Sequence, residues 1–465
     1  MKKSGLLILI LFASLSLLTP QTLFAVGSAG IENASFSGRQ IAQSGAGTAQ
    51  ADEPAAISYN PAGITQLDGL QIEPTMHFID IFTFFESDEP LSGGKGSNTR
   101  SSGTVLPVPT GYITFKPKNW FDNRITFGVG SDSPFGFSNK FNSTHPIAQL
   151  SGFKNWFKMY TVKPTVAVKL ADWLSIGGGP MYYRIYDWGG IQAYPNILSA
   201  GAPFGTLKTD LGQVRLNLSG NHWGWHFGVL ATPHKQHQFG FYFRSPVVVK
   251  TSGIIKVTNS SRGYFETGGN AKWSLPMNLT WAYAFKPTER ATIEFDFGYT
   301  RWSSFERLFI NADPVSPAED NILSLIGKNN KDWKDSYNLQ LGGNYKLTNR
   351  LTIRGGGYFY TNSVPEVSFI SAVPDGNRLA YSLGASYEVN KNFGVDAAYL
   401  NVWNLRRTVN NNIGNGLGVS QDGDYVTYTQ EATVSCRFAF DDPIADLVST
   451  TSNPSPVSQE LPLTL

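Results

Sequence analysis

From about Leu70 to Phe440 the chain alternates apolar and polar residues with period two, the spacing that puts successive side chains on opposite faces of a strand. In "VTYTQEATVSCRFAF", Val426, Tyr428, Ala432, Val434, Cys436, Phe438 and Phe440 share one face, opposite Thr427, Thr429, Glu431, Thr433, Ser435 and Arg437. Only Gln430 breaks the apolar side. Ile293, Phe295, Phe297 and Tyr299 likewise oppose Glu294 and Asp296, and Leu339, Leu341, Tyr345 and Leu347 oppose Asn338, Gln340, Asn344 and Lys346. A soluble sandwich also alternates, so the connections must discriminate. They are short at Lys116 to Asn123, Leu170 to Asp172, Thr232 to Gln236, Lys286 to Arg290, Leu347 to Asn349 and Val389 to Lys391. They are long near 83–103, 132–157, 187–207, 251–271, 302–333, 362–376 and 405–423, so short and long alternate down the chain.

Tight periplasmic turns and longer external loops are the asymmetry of an outer-membrane barrel. With both ends periplasmic, six short and seven long connections predict fourteen strands, provided Asp210 to Ala231 is one long strand. The expected fold is therefore all-β: a 14-stranded antiparallel transmembrane barrel over residues 67–440. Trp120, Trp156, Trp173, Trp188, Trp281, Trp302 and Trp403 fall near strand ends and are expected to form interfacial girdles.

Composition agrees. Of 465 residues 13% are aromatic and 15% charged, well below the charge usual in soluble domains. Past the N-terminus no apolar run reaches membrane-helix length. The net charge of +2 comes from scattered basic residues with no stripe, which excludes a nucleic-acid partner. Lys2 and Lys3, the apolar run Leu6 to Leu18 and "TPQTLFA" fit a secretory signal over 1–25, cut near Ala25. A single cysteine, Cys436, rules out an intramolecular disulfide. The last segment, 441–465, is rich in Ser, Thr, Pro and Asp and reads as a flexible periplasmic tail.

Several stretches together resemble one family: "SGAGTAQADEPAAISYNPAG" (Ser44 to Gly63), "YFRSPV" (Tyr242 to Val247), "YTRWSSFERL" (Tyr299 to Leu308), "WKDSYNLQLGGNYKL" (Trp333 to Leu347) and "VPDGNRLAYSLGASYEV" (Val373 to Val389). The sequence is similar to the FadL/TodX-like long-chain fatty acid and hydrocarbon transporters of Gram-negative outer membranes. The resemblance implies a fourteen-stranded barrel whose N-terminal residues, here 26–66, fold inward as a hatch ending in the motif Asn60, Pro61, Ala62 and Gly63. It also implies an inward kink in one strand that opens a side window, for which the third strand is the candidate here. Gly130, Ser131, Pro134 and Gly136 in "ITFGVGSDSPFGF" are the candidates, since Pro lacks the ladder donor and Gly permits a bulge.

The expected function is passive uptake of a hydrophobic small molecule, a fatty acid or a hydrocarbon, with lateral release into the lipid of the outer membrane by a monomer. A general porin and a surface adhesin are the alternatives. Capture is expected at two apolar external loops, Ile191 to Gly205 and Leu308 to Gly327. Arg184, Arg244, Arg354 and Arg378 are the candidate head-group ligands, and Phe438 and Phe440 the aromatic C-terminal signal of the barrel. No catalytic residue, metal site or cofactor is expected. His222 and His226 stand about 13 Å apart along a strand, too far for one metal, and no Ser/His/acid constellation points to an enzyme.

Overall fold

The computed structural model describes residues 30–87, 98–101, 105–118, 121–142, 145, 147, 154–194, 212–259, 263–313, 328–412 and 420–441. The signal segment 1–25 and all but the first residue of the tail 441–465 lie outside them, as does most of both apolar external loops.

The wall has fourteen staves: β1 (Gly69–Ser87), β2 (Asn98–Arg100 continued by Leu106–Lys116), β3 (Ile125–Asp132 continued by Phe137–Lys140), β4 (Lys154–Ala171), β5 (Leu174–Tyr194), β6 (Gly212–His234) and β7 (His237–Arg244 continued by Val247–Asn259). They go on as β8 (Gly263–Leu275 continued by Asn278–Thr288), β9 (Ala291–Thr300 continued by Arg307–Ala312), β10 (Lys328–Asn330 continued by Ser336–Lys346), β11 (Leu351–Tyr360), β12 (Arg378–Asn390), β13 (Phe393–Val409) and β14 (Gly423–Phe440). Each pairs antiparallel with its chain neighbours, and β1 pairs with β14 from Leu70 opposite Phe440 to Ser87 opposite Gly423. The sheet closes on itself. The segment expected as one strand is one strand, β6.

The faces are inverted relative to a soluble protein. On β14 Thr427, Thr429, Glu431, Thr433 and Ser435 are buried, whereas Val434 is exposed; on β9 Glu294 and Asp296 are buried while Ile293 and Phe295 are exposed. Apolar side chains face outward, as a membrane wall requires. Trp173, Trp281 and Trp403 are exposed, in keeping with a girdle, but Trp302 is fully buried inside, Trp188 packs on the same inner cluster, and Trp156 is buried and donates to Asp187. Proximity to a strand end does not fix which face a tryptophan takes. Trp120 lies outside the described residues.

Residues 30–67 run around the inner wall. Ser35 donates to Glu431 on β14 at 2.7 Å, Thr48 N to Asp296 on β9 at 3.2 Å, Asn60 to the Val229 carbonyl on β6 at 3.0 Å, and Thr65 to Ser175 on β5 at 2.9 Å. A segment that touches staves all around a closed ring lies within it. Close seating needs glycine in the wall. A Cβ on Gly228 would stand 2.3 Å from Asn60 Oδ1, and one on Gly240 would stand 2.3 Å from the Thr48 carbonyl oxygen.

Gly240→Leu should therefore unseat this plug without opening the wall. Overpacking of this kind costs about 1–3 kcal/mol, so protease cleavage within the plug should quicken roughly fivefold or more. Heat-dependent migration of the folded barrel on gels should be retained.

Candidate functional site in the lumen

The plug is built from short turns. Ser37 caps the helix α1 (Gly38–Ala42) by accepting from Gln40 N, and Pro54–Ser58 and Pro61–Gln66 form 3₁₀ turns, each opening on Pro, which suits a first turn where no donor is needed. Asn60 caps the second of these through Ala62 N at 3.3 Å. Its amide also donates to the Thr48 carbonyl at 2.7 Å, so one side chain ties turn, plug and wall together. Pro61, Ala62 and Gly63 follow it, all buried; a Cβ on Gly63 would strike Ala51 at 2.3 Å.

Backbone amides sealed in the lumen need acceptors. The N–H groups of Gly47, Thr48, Ala49 and Gln50 find them in two β9 carboxylates, at 3.4 and 3.2 Å to Asp296 and 2.5 and 3.1 Å to Glu294. Arg39 holds the other side. It lies 3.3 Å from Asp396 and 3.4 Å from Glu388, with Asp52 at 3.6 Å and Glu53 at 4.0 Å. Burial pulls its pKa down, but Asp396, Asp52 and Glu53 outweigh that and raise it, so the guanidinium stays charged. Burial pushes the Glu53 carboxyl up, opposed by Arg39 and by the Ser37 hydroxyl.

The third stave breaks between Asp132 and Phe137. Gly130 and Ser131 still belong to the ladder, opposite Tyr112 and Gly111 of β2. Pro134 and Gly136 lie in the break, and among the described residues no ladder joins Leu106–Thr110 of β2 to β3. The first described plug residues stand in for the missing stave: Asn33 N donates to the Pro134 carbonyl at 2.8 Å and Gly136 N to the Ile31 carbonyl at 2.7 Å. Below the break Asp132 accepts from Lys163 and from Ser58 of the plug.

Above the plug the inner face turns apolar. Phe157, Trp273, Phe305, Trp333, Trp302 and Phe135 form a continuous run of rings with centroid separations of 5.3, 5.2, 4.7, 5.1 and 6.1 Å, ending at the break. Ile31, Val249, Phe369 and Tyr425 belong to the same cluster. A space of about 40 Å³ lies beside Arg378, Phe137 and Gly30. Below the plug opens a vestibule of about 1050 Å³ lined by charged and polar groups, among them Arg39, Lys286, Lys346 and Arg354.

The four arginines are not brought together. Arg244 pairs with Glu32 at 2.7 Å beneath the Phe135 ring, and Arg378 pairs with Asp375 at 2.8 Å. Arg354 lies in the vestibule and donates to Ser386. Arg184 faces outward, because its neighbours Tyr183 and Ile185 take the inner face, so it does not line the lumen. Sequence reading missed Lys331. It is 6% exposed, lies two residues before Trp333 in the link between the two parts of β10, and has no ion pair among the described residues. Burial lowers its pKa to about 8. A lysine two residues before a tryptophan is too ordinary a pattern to stand out. Phe438 stacks on Phe393 at 5.0 Å and Phe440 closes the seam with Leu70.

The family profile for outer membrane protein transport proteins (OMPP1/FadL/TodX) matches residues 18–440. The long-chain fatty acid transport protein of Escherichia coli K12 is 25% identical over 399 residues, covering 78% of this chain and 84% of that protein. The crystal structure of a Pseudomonas aeruginosa FadL homologue superposes with a TM-score of 0.71 at 16% identity, covering 90% of this chain and 99% of that one. The Pseudomonas putida toluene transporter TodX gives a TM-score of 0.62 at 14% identity over 88% and 99%. Those last two likenesses bear on the fold.

Arg39→Ala should loosen the plug. Breaking a buried ion-pair network costs about 3–5 kcal/mol, the lower end applying here because Arg437 keeps Asp396 paired. Single channels in planar bilayers should then open more often than wild type, with the barrel still folded.

Proposed function

The chain belongs to the outer membrane protein transport family (OMPP1/FadL/TodX), a family of outer-membrane transporters of fatty acids or hydrocarbons and not of enzymes, and from that premise we propose that it takes up long-chain fatty acids. The aromatic upper lumen carries this reading. Barrel interiors are ordinarily polar, and a run of buried rings there suits a cargo with an alkyl chain. Each methylene kept from water is worth about 0.8 kcal/mol, so fifteen amount to roughly 12 kcal/mol. Such a cargo gains nothing by entering the charged vestibule. The break in β3, where the rings end and the ladder to β2 stops, is the exit we assign, directly into the bilayer. Departure of Ile31–Asn33 would withdraw the hydrogen bonds that fill the break. The hatch assigned to 26–66 would thus act as both cork and strap.

Lys331 favours an acid over a plain hydrocarbon, since a buried lysine with no ion pair among the described residues is completed by a carboxylate. Lys331→Met should weaken oleate binding about tenfold or more, a charge-assisted hydrogen bond being worth about 1.5–3 kcal/mol, while toluene binding is unchanged. The amine is protonated below about 8 and loses its charge above it. Oleate affinity of the wild type should therefore fall as pH rises past 8, and the variant should show no such fall. Equal loss for both cargoes would assign Lys331 to packing alone, and uptake of toluene without oleate would overturn the fatty-acid reading.

A further inference from the structure

On the outer wall, the face of β5 to β8 changes character between two consecutive rows of the ladder. The lower row sets Tyr182 opposite Trp223 and Val248 opposite Ser274. Two residues nearer the external loops, the next row sets Arg184 opposite Asn221 and Lys250 opposite Lys272. The two halves are continuous. The register Ser252 opposite Ser219, carried two residues further, puts Asn221 beside Lys250, and a Cβ on Gly220 would lie 2.6 Å from the Lys250 carbonyl oxygen. Below this row the wall is aromatic, Trp223 and Trp225 being 63% exposed. The row immediately above it holds Ser219, Ser252 and Asn270, with Ile254 one row beyond them. The row therefore marks the edge of the apolar band on the external side, the depth of outer-leaflet head groups.

The charges here are unbalanced. At three other places on the external part of the wall a cation has a carboxylate: Lys158 has Asp187 at 2.9 Å, Lys256 has Glu266 at 2.5 Å and Arg406 has Asp424 at 3.1 Å, while Arg100 and Lys154 lie over aromatic rings. Among the described residues Arg184, Lys250 and Lys272 have none. Lys250 and Lys272 are both exposed and directly opposite each other, a like-charge pair that opposes strand pairing unless an anion lies between them. Asn221 Oδ1 accepts from both Arg184 and Tyr182 at 2.9 Å, which fixes the guanidinium against the wall and leaves the Asn221 amide as a donor. From Arg184 to Lys272 is three inter-strand spacings, about 14 Å.

We propose that this row binds the phosphate groups of a phosphorylated glycolipid of the outer leaflet. Lys250 and Lys272 clamp one phosphate, Arg184 and the Asn221 amide reach a second, and the acyl chains lie down the Trp223 and Trp225 face. Guanidinium and ammonium groups at a membrane edge are suited to this chemistry, the first as a fork and the second as point charges.

The test uses full-length protein in detergent and the double variant K250Q/K272Q, with folding checked by heat-dependent gel migration. The probe is a diphosphorylated, acylated disaccharide (lipid A), its binding read by native mass spectrometry. Binding at least tenfold weaker in the double variant, unchanged in K256Q and equally weak for dephosphorylated lipid A on wild type supports the site. Equal binding by wild type and double variant, or no preference for the phosphorylated lipid, overturns it. Displacement of the lipid by equimolar inorganic pyrophosphate overturns the lipid assignment and leaves a site for free phosphate. Fatty-acid uptake is not a readout in this experiment, so its outcome is separate from that of the transport reading.

Discussion

The seam between β1 and β14 is the interaction on which the rest depends. An unpaired N–H or C=O in hydrocarbon costs several kcal/mol, so a strand-built wall has no stable form with free edges. Pairing the first stave to the last along nearly their whole length removes both edges at once. Closure then dictates the inversion of faces. Once the outside is lipid and the inside is a confined space, Glu294 and Asp296 have nowhere to point but inward, while Ile293 and Phe295 must point out.

Confinement has a second consequence. Inward polar groups in a narrow lumen are cut off from bulk water and must be paired, and the N-terminal segment supplies the partners. The β9 carboxylates and the amides of Gly47 to Gln50 satisfy each other, and neither set would be tolerable buried alone. Wall and plug are thus one hydrogen-bonded system. Arg39 extends it to β12 and β13 through Glu388 and Asp396. At the break in β3 the plug meets the wall backbone to backbone, through Asn33 with Pro134 and Ile31 with Gly136.

Much of this was legible in the sequence. Alternation and the rhythm of short and long connections yield fourteen strands, including the single β6, because parity constrains the count of a closed barrel. Pro134 and Gly136 mark the break through their own backbone chemistry. Period two, however, is silent about which face is which locally. On β7 the inner face passes from Tyr242 and Arg244 to Val247 and Val249, a change of parity across Ser245 and Pro246, and so the faces of later residues cannot be counted from earlier ones. Arg184 and Trp302 were misplaced for the same reason: each sits at a position whose facing is set by register and bulges, not by its type. The aromatic run of the upper lumen has no sequence signature because its six rings come from five separate staves, β3, β4, β8, β9 and β10, each contributing one or two.

Under the fatty-acid reading proposed above, the vertical division of the lumen would govern where cargo goes. Rings occupy the external half, buried ion pairs the middle and a charged vestibule the periplasmic end. For an alkyl chain each step downward from the rings exchanges apolar contact for polar surface, an uphill path of about 0.8 kcal/mol per methylene exposed. On the lateral route proposed above, the break in β3 would lead from rings to lipid with no such penalty. A break used in this way would have to be closed when empty, since free backbone groups at membrane depth are costly. Asn33 and Ile31 meet that need by lending Pro134 and Gly136 the hydrogen bonds that β2 does not supply. The same few residues therefore complete the plug and seal the wall, so that moving one must unsettle the other.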